Sequence, residues 1–179
     1  LDAALLQPAL ARRPDSGGRP GWVVRPSLTT AGRARLLVDE IAPDRQVAAL
    51  ERAARYAAKH FPSGPLDVAP IVDVEEEYAL HAHLSVHGDL RVGALVRSTA
   101  RGGVWRGAAR VDAPPLEARS IRSSLEKVAE RLADCGYFGP FGSDASVWID
   151  GRGRRRLHAP LEGNARYTMS FAESGLPLV

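Results

Sequence analysis

The sequence predicts an α+β fold with mainly antiparallel sheets. Extended runs follow one another across hairpin-type turns, two stretches carry helical apolar spacing, and a hairpin near the C-terminus gathers acidic and amide side chains. With 179 residues, 45% of them apolar, the chain can bury a real core as one domain or as two small lobes. No run approaches the length of a membrane span. The opening LDAALLQPALA lacks a basic leader and is too short for a signal peptide, so the simplest compartment is cytoplasmic. The chain begins with Leu1 and has its only methionine at Met169, which reads as a processed or excised piece. A single cysteine, Cys135, excludes an intramolecular disulfide, argues against a thiolate metal site and reads as a buried thiol. Net charge is +3, from 24 basic and 21 acidic residues, and selects no particular polyanion.

Residues 1–20 hold a short apolar stretch and the turn-rich RRPDSGGRP, an N-terminal segment or linker. GWVVRP and RLLVDE read as strands on either side of a small polar loop, Ser27 to Arg35, which includes Thr29, Thr30, Gly32 and Arg33. Convergent backbone amides and hydroxyls in such a loop suit a phosphate. From Asp44 to Phe61, Val47, Leu50, Ala54, Ala57 and Phe61 recur at 3 and 4 spacing between Pro43 and Pro62, which predicts an amphipathic helix. Leu66 to Val72 and Glu77 to Val86 are predicted strands around an acidic bend, Asp73 to Glu77. His81, His83 and His87 have a zinc-like look, yet no cysteine or acid is placed to complete a shell, and partners of a polar surface are the plainer reading. Gly88-Asp89 turns the chain into LRVGALVRST, and Arg101 to Gly107 follows as a glycine loop carrying Arg106. Leu116 to Cys135 is the second helix, with Ile121, Leu125, Val128 and Leu132 on one face and Gly136 as its stop.

The last part is the most informative. Asp144 to Asp150 and Arg156 to Glu162 are extended segments around Gly151-Arg152-Gly153-Arg154. A turn centred on Gly153 sets Asp144 opposite Glu162, with Asn164 on the same face as Glu162 by the period of two. Two carboxylates and an amide form the oxygen-rich set that Mg²⁺ takes, commonly shared with substrate phosphates. The arginines of the turn, Arg152 and Arg154 to Arg156, have no interleaved aromatic platform, so no nucleic-acid partner is predicted and a solvated hairpin tip is expected.

Asp144 followed by Glu162-x-Asn164-x-Arg166, within GYFGPFGSDA and EGNARYTM, resembles the metal-binding signature at the end of the ATP-grasp fold. The resemblance runs from Trp22 to Phe171 and implies two α+β lobes gripping a nucleotide: a small lobe over 21–72 with the phosphate-covering loop, and a large lobe over 73–179 with the metal-binding hairpin. It implies that Asp144, Glu162 and Asn164 hold Mg²⁺, or Mn²⁺ in its place, on ATP. Arg25 and the loop residues Ser27, Thr29, Thr30, Gly32 and Arg33 would hold phosphates. Pro70, Ile71 and Val72 would border adenine, Glu77 would take the ribose hydroxyls, and Arg166 and Arg106 would meet the transferring phosphoryl or a substrate anion. Two positions depart from the family pattern. Arg25 stands where a lysine is usual, and Ala69 where many relatives carry an acid. The implied activity is that of an ATP-dependent carboxylate-amine ligase, which activates a small carboxylate as an acylphosphate for attack by an amine or other nucleophile. The alternative is a non-catalytic nucleotide-binding or protein-interaction module of the same fold. Family members carry an N-terminal α/β domain that this sequence does not include, so the chain alone is expected to be incomplete as a catalyst. Oligomeric state is not readable.

Overall fold

The computed structural model describes residues 21–26, 36–39, 48, 51–52, 55–56, 59, 66–101 and 104–178. Two compact units divide the chain: one of Leu1–Asp73 with Ile149–Arg154, the other of Val74–Trp148 with Arg155–Val179. Of the helix predicted over 44–61, the described positions 48, 51, 52, 55, 56 and 59 are helical.

In the first unit, β1 (Gly21–Pro26), β2 (Leu36–Asp39) and β3 (Leu66–Pro70) form an antiparallel sheet in the order β2-β1-β3. Trp22 pairs with Val38 on one side and Pro70 on the other. Val24 is buried, and the Ile71 N–H donates to the Gly21 carbonyl at 2.9 Å, extending the β1–β3 pairing past Pro70.

In the second unit, β4 (Val74–Leu84), β5 (Leu90–Arg101), β6 (Val104–Arg110), β7 (Gly139–Ile149) and β8 (Arg155–Asn164) form a sheet in the order β6-β5-β4-β7-β8. The pairings of β4 with β5 and β7, and of β5 with β6, are antiparallel. One helix, α1 (Ala118–Asp134), covers one face. Alternation decides which face. Tyr78, Leu80, Ala82 and Leu84 of β4 join Phe141, Ala145 and Val147 of β7 and Ile121, Leu125 and Ala129 of α1 in the core. The helix stops where predicted: the Gly136 N–H donates to the Ala133 carbonyl at 2.8 Å and the Tyr137 N–H to the Leu132 carbonyl at 2.9 Å. A short 3₁₀ turn, Phe171–Ser174, closes the chain, with Phe171 buried. Among the described residues, no helix is long and apolar enough to cross a membrane.

Four local expectations are corrected. The acidic stretch is strand rather than bend from Val74 onward, because Glu75 and Glu76 are neutralised in place: Arg97 meets Glu76 at 2.9 Å, and Arg155 contacts Glu75, Glu76 and Glu117. Arg106 lies in β6 rather than in a loop, since β5 continues to Arg101 and β6 resumes at Val104. Cys135 is exposed, because it caps the helix instead of facing the core. The turn between β7 and β8 centres one residue earlier than expected. Asp150 and Arg154 close it, with the Asp150 N–H donating to the Arg154 carbonyl and the Gly153 N–H to the Asp150 carbonyl, each at 2.9 Å. Gly153 at φ 73° supplies the left-handed residue this turn needs.

Candidate functional site

Cross-strand partners share a face, and in β4–β7 the pairs Glu77↔Ser146, Ala79↔Asp144 and His81↔Gly142 share the face opposite α1. Glu77 is therefore a diagonal neighbour of Asp144 on that face. On β8, a Cβ at Gly163 would point to Val128 of α1 at 3.7 Å, so Glu162 and Asn164 turn the other way, toward Asp144. The Asn164 amide lies 3.4 Å from Asp144 Oδ2, and Arg166 donates to Asn164 Oδ1 at 3.0 Å. Asp144, Glu162, Asn164 and Arg166 thus meet at one end of the β7–β8 hairpin, despite the shifted turn.

The electrostatics follow from crowding carboxylates where water is scarce. The Asp144 carboxyl is pushed up to about 7, first by burial, then by the negative charges of Glu162 and Glu77, with Arg166 opposing. Ionised together, these acids are held at a cost. Among the described residues no three His, Cys, Asp or Glu side chains gather as a metal cluster; the oxygen set is two carboxylates and an amide. That set fits a hard divalent cation, which would replace the missing positive charge and leave coordination positions for phosphate oxygens.

The other predicted residues are placed separately. Arg25 has backbone partner Asp67, but its side chain lies outside the described part, as do Ser27, Thr29, Thr30, Gly32 and Arg33. Pro70 ends β3, and Ile71 and Val72 continue it without regular structure, all three half-buried. Arg106 is on β6, an edge strand with β5 and β4 between it and β7, about 14 Å away at ordinary strand spacing. The structure does not bring it to Asp144.

His81 was expected on a polar surface, yet it is fully buried. Its Nε2 lies 3.0 Å from Ser170 Oγ and its Nδ1 3.4 Å from Thr168 Oγ1, and burial lowers its pKa to about 4. Phe171 packs against the imidazole with ring centroids 5.5 Å apart, and Tyr167 meets Phe171 edge-on at 4.7 Å. The segment just past Arg166 is thereby pinned to β4. The signal available in the sequence was Gly142: a Cβ there would sit 2.7 Å from His81 Nδ1, so a glycine is required opposite this histidine. At the turn, the buried carboxylate of Asp150 accepts the N–H groups of Arg152 and Arg154 and the Arg154 Nε, each at 2.9 Å. Arg154 and Arg155 are thus held in ion pairs at an otherwise exposed turn.

No protein-family model and no curated protein matches the chain. Solved structures do match it. The chain is similar to N5-carboxyaminoimidazole synthetase from Staphylococcus aureus, with a TM-score of 0.63 and 11% identity over 94% of this chain and 38% of that one. It is similar to carboxyaminoimidazole ribonucleotide synthase from Aspergillus clavatus, solved with ATP, at a TM-score of 0.56 and 16% identity over 94% and 39%. A third match is the biotin carboxylase domain of the Hydrogenobacter thermophilus 2-oxoglutarate carboxylase, solved with MgADP, ADP and bicarbonate, at a TM-score of 0.60 and 17% identity over 95% and 34%. The chain has the ATP-grasp fold that these structures share, and spans 34–39% of their length.

Proposed function

We propose that the chain is the nucleotide-binding part of an ATP-dependent ligase, holding Mg-ATP so that a carboxylate is activated for attack by an amine or other nucleophile. The observation that carries this reading is the convergence of Asp144, Glu162 and Asn164 on one sheet face of an ATP-grasp fold, with Arg166 bonded to Asn164 just past the strand. Asp144, Glu162 and Asn164 hold Mg²⁺, or Mn²⁺ in its place. When bound, the ion neutralises phosphate charge and orients the γ-phosphoryl group.

In the reaction, a substrate carboxylate oxygen bonds to the γ-phosphorus as the bond to ADP breaks. The nucleophile then bonds to the acyl carbon, phosphate leaves and the nucleophile's proton passes to water. Arg166 stabilises the transferring phosphoryl or the acyl group from its position on Asn164. Glu77 takes the ribose hydroxyls, Pro70, Ile71 and Val72 border adenine, and Arg25 with Ser27, Thr29, Thr30, Gly32 and Arg33 hold phosphates. Domain limits at 21–72 and 73–179 and a cytoplasmic setting belong to the same reading. The protein contributes mainly position and charge.

Arg25 in place of lysine and Ala69 in place of an acid favour a second reading, a nucleotide-binding or protein-interaction module without turnover. ADP release separates the two. In the intact protein, release that requires both an added carboxylate and an amine supports the ligase. Mg-ATP binding with no such release across a carboxylate panel supports the module.

A further inference from the structure

On the helix side of the five-stranded sheet, away from Asp144, α1 and the Ala159-Pro160 stretch of β8 enclose an open groove of about 960 Å³. This is within the range of small-molecule sites. Its floor is apolar, made by Val128, Leu132, Ala159 and Pro160. Its rim is a stripe at one-turn intervals along α1, Arg119, Ser123, Lys127 and Arg131.

Parts of that stripe work against the helix, although Arg131, in the last turn, suits its dipole. Arg119 lies in the first turn, where the helix dipole disfavours a cation, and the neighbouring Glu117 carboxylate is engaged by Arg155. Lys127 and Arg131 are like charges one turn apart, an arrangement that weakens a helix. Among the described residues, none of the three has an ion-pair partner, whereas Arg122, outside the groove, pairs with Glu126 at 3.0 Å. Ser124 lies beneath the groove; it is only 8% exposed, and its Oγ is closed off from solvent. Three cations without an ion-pair partner, set beside an apolar floor, suit an anion with an apolar body. Lys127 and Arg131 rise about 6 Å apart along the helix, which suits one phosphate or carboxylate between them, and Arg119, about 12 Å further along, adds attraction at the far end.

We infer that this groove binds a small amphiphilic anion, its alkyl or aryl body on the Val128–Leu132–Pro160 floor and its phosphate or carboxylate between Lys127 and Arg131. The site is separate from the nucleotide site proposed above and stands whether or not that proposal holds.

Cys135 provides the test, because it is exposed, lines the groove and is the chain's only cysteine. Its rate of modification by N-ethylmaleimide, followed by mass spectrometry, is measured with octyl phosphate, 1-octanol or inorganic phosphate. Octyl phosphate is expected to slow the reaction saturably by at least fivefold, while the other two change it less than twofold. Lys127→Gln and Arg131→Gln should each raise the half-protecting concentration at least tenfold; Arg122→Gln should leave it unchanged. Equal protection by 1-octanol or inorganic phosphate, no protection by octyl phosphate, or full protection in both groove variants would overturn the inference.

Discussion

The two faces of the five-stranded sheet are built on opposite terms. Toward α1, the even-numbered residues of β4 from Tyr78 to Leu84 are buried among Ile121, Leu125 and Phe141, and the burial of this apolar surface stabilises the folded chain. On the other face of the same strands, Glu77, His81 and Asp144 are packed where polar and charged groups are costly to hold. One face stabilises the fold; the other holds polar and charged groups at a cost, which the proposed cation site would account for. A protein under selection for stability alone would not bury a histidine and crowd carboxylates on one surface.

The comparison predicts effects of different size and sign. The largest is on the helix face: Leu125→Ala should cost about 2 to 5 kcal/mol in urea unfolding. Its dissociation constant for Mg-ADP should stay within about twofold of the parent's, because the change is confined to the structural face.

On the site face, the next effect is a pH dependence. Burial depresses the His81 pKa from 6.5 to about 4, so its neutral form is favoured by folding. The stability it contributes is present above pH 6.5 and is lost as pH falls toward 4, by up to roughly 3 kcal/mol. Unfolding free energies measured across that window should slope downward with acid in the parent and be flatter in His81→Gln. Equal slopes would show that the imidazole is not held as described.

Asp144→Asn should act in the opposite sense to Leu125→Ala. The Asp144 carboxyl is raised from 3.8 to about 7, so the folded state favours its protonated form, and stability falls as pH rises through that range. At pH 8 without metal, removing the charge should stabilise the chain by about 1 to 3 kcal/mol, read from chemical unfolding, while abolishing the response to Mg-ADP. A destabilised variant would mean that Asp144 contributes to the fold rather than to a cation site.

The structural face was the easier one to read. Ile121, Leu125, Val128 and Leu132 declare α1 by their spacing, and the strands on either side of it declare themselves by alternation, because both patterns are local. What sequence reading lost depends on partners far along the chain. Glu75 and Glu76 look like a solvated bend until Arg97 and Arg155 neutralise them inside β4. His81 looks like a surface residue until Thr168 and Ser170 fold back onto it. The site was legible as residue types in order, Asp144 before Glu162 and Asn164, but not in register: a glycine turn can close on either of two centres, and only the Asp150–Arg154 pairing decides between them.

The most direct test is thermal unfolding of the parent and of Glu162→Gln with Mg²⁺ alone, ADP alone and both together. At about 100 times the dissociation constant, Mg-ADP should stabilise the parent by roughly 2.7 kcal/mol and raise its midpoint by roughly 5 to 10 °C. Neither component alone should do so, and Glu162→Gln should lose most of the shift. A shift of the same size with ADP alone, or one retained in full by Glu162→Gln, would contradict a cation site at Asp144, Glu162 and Asn164.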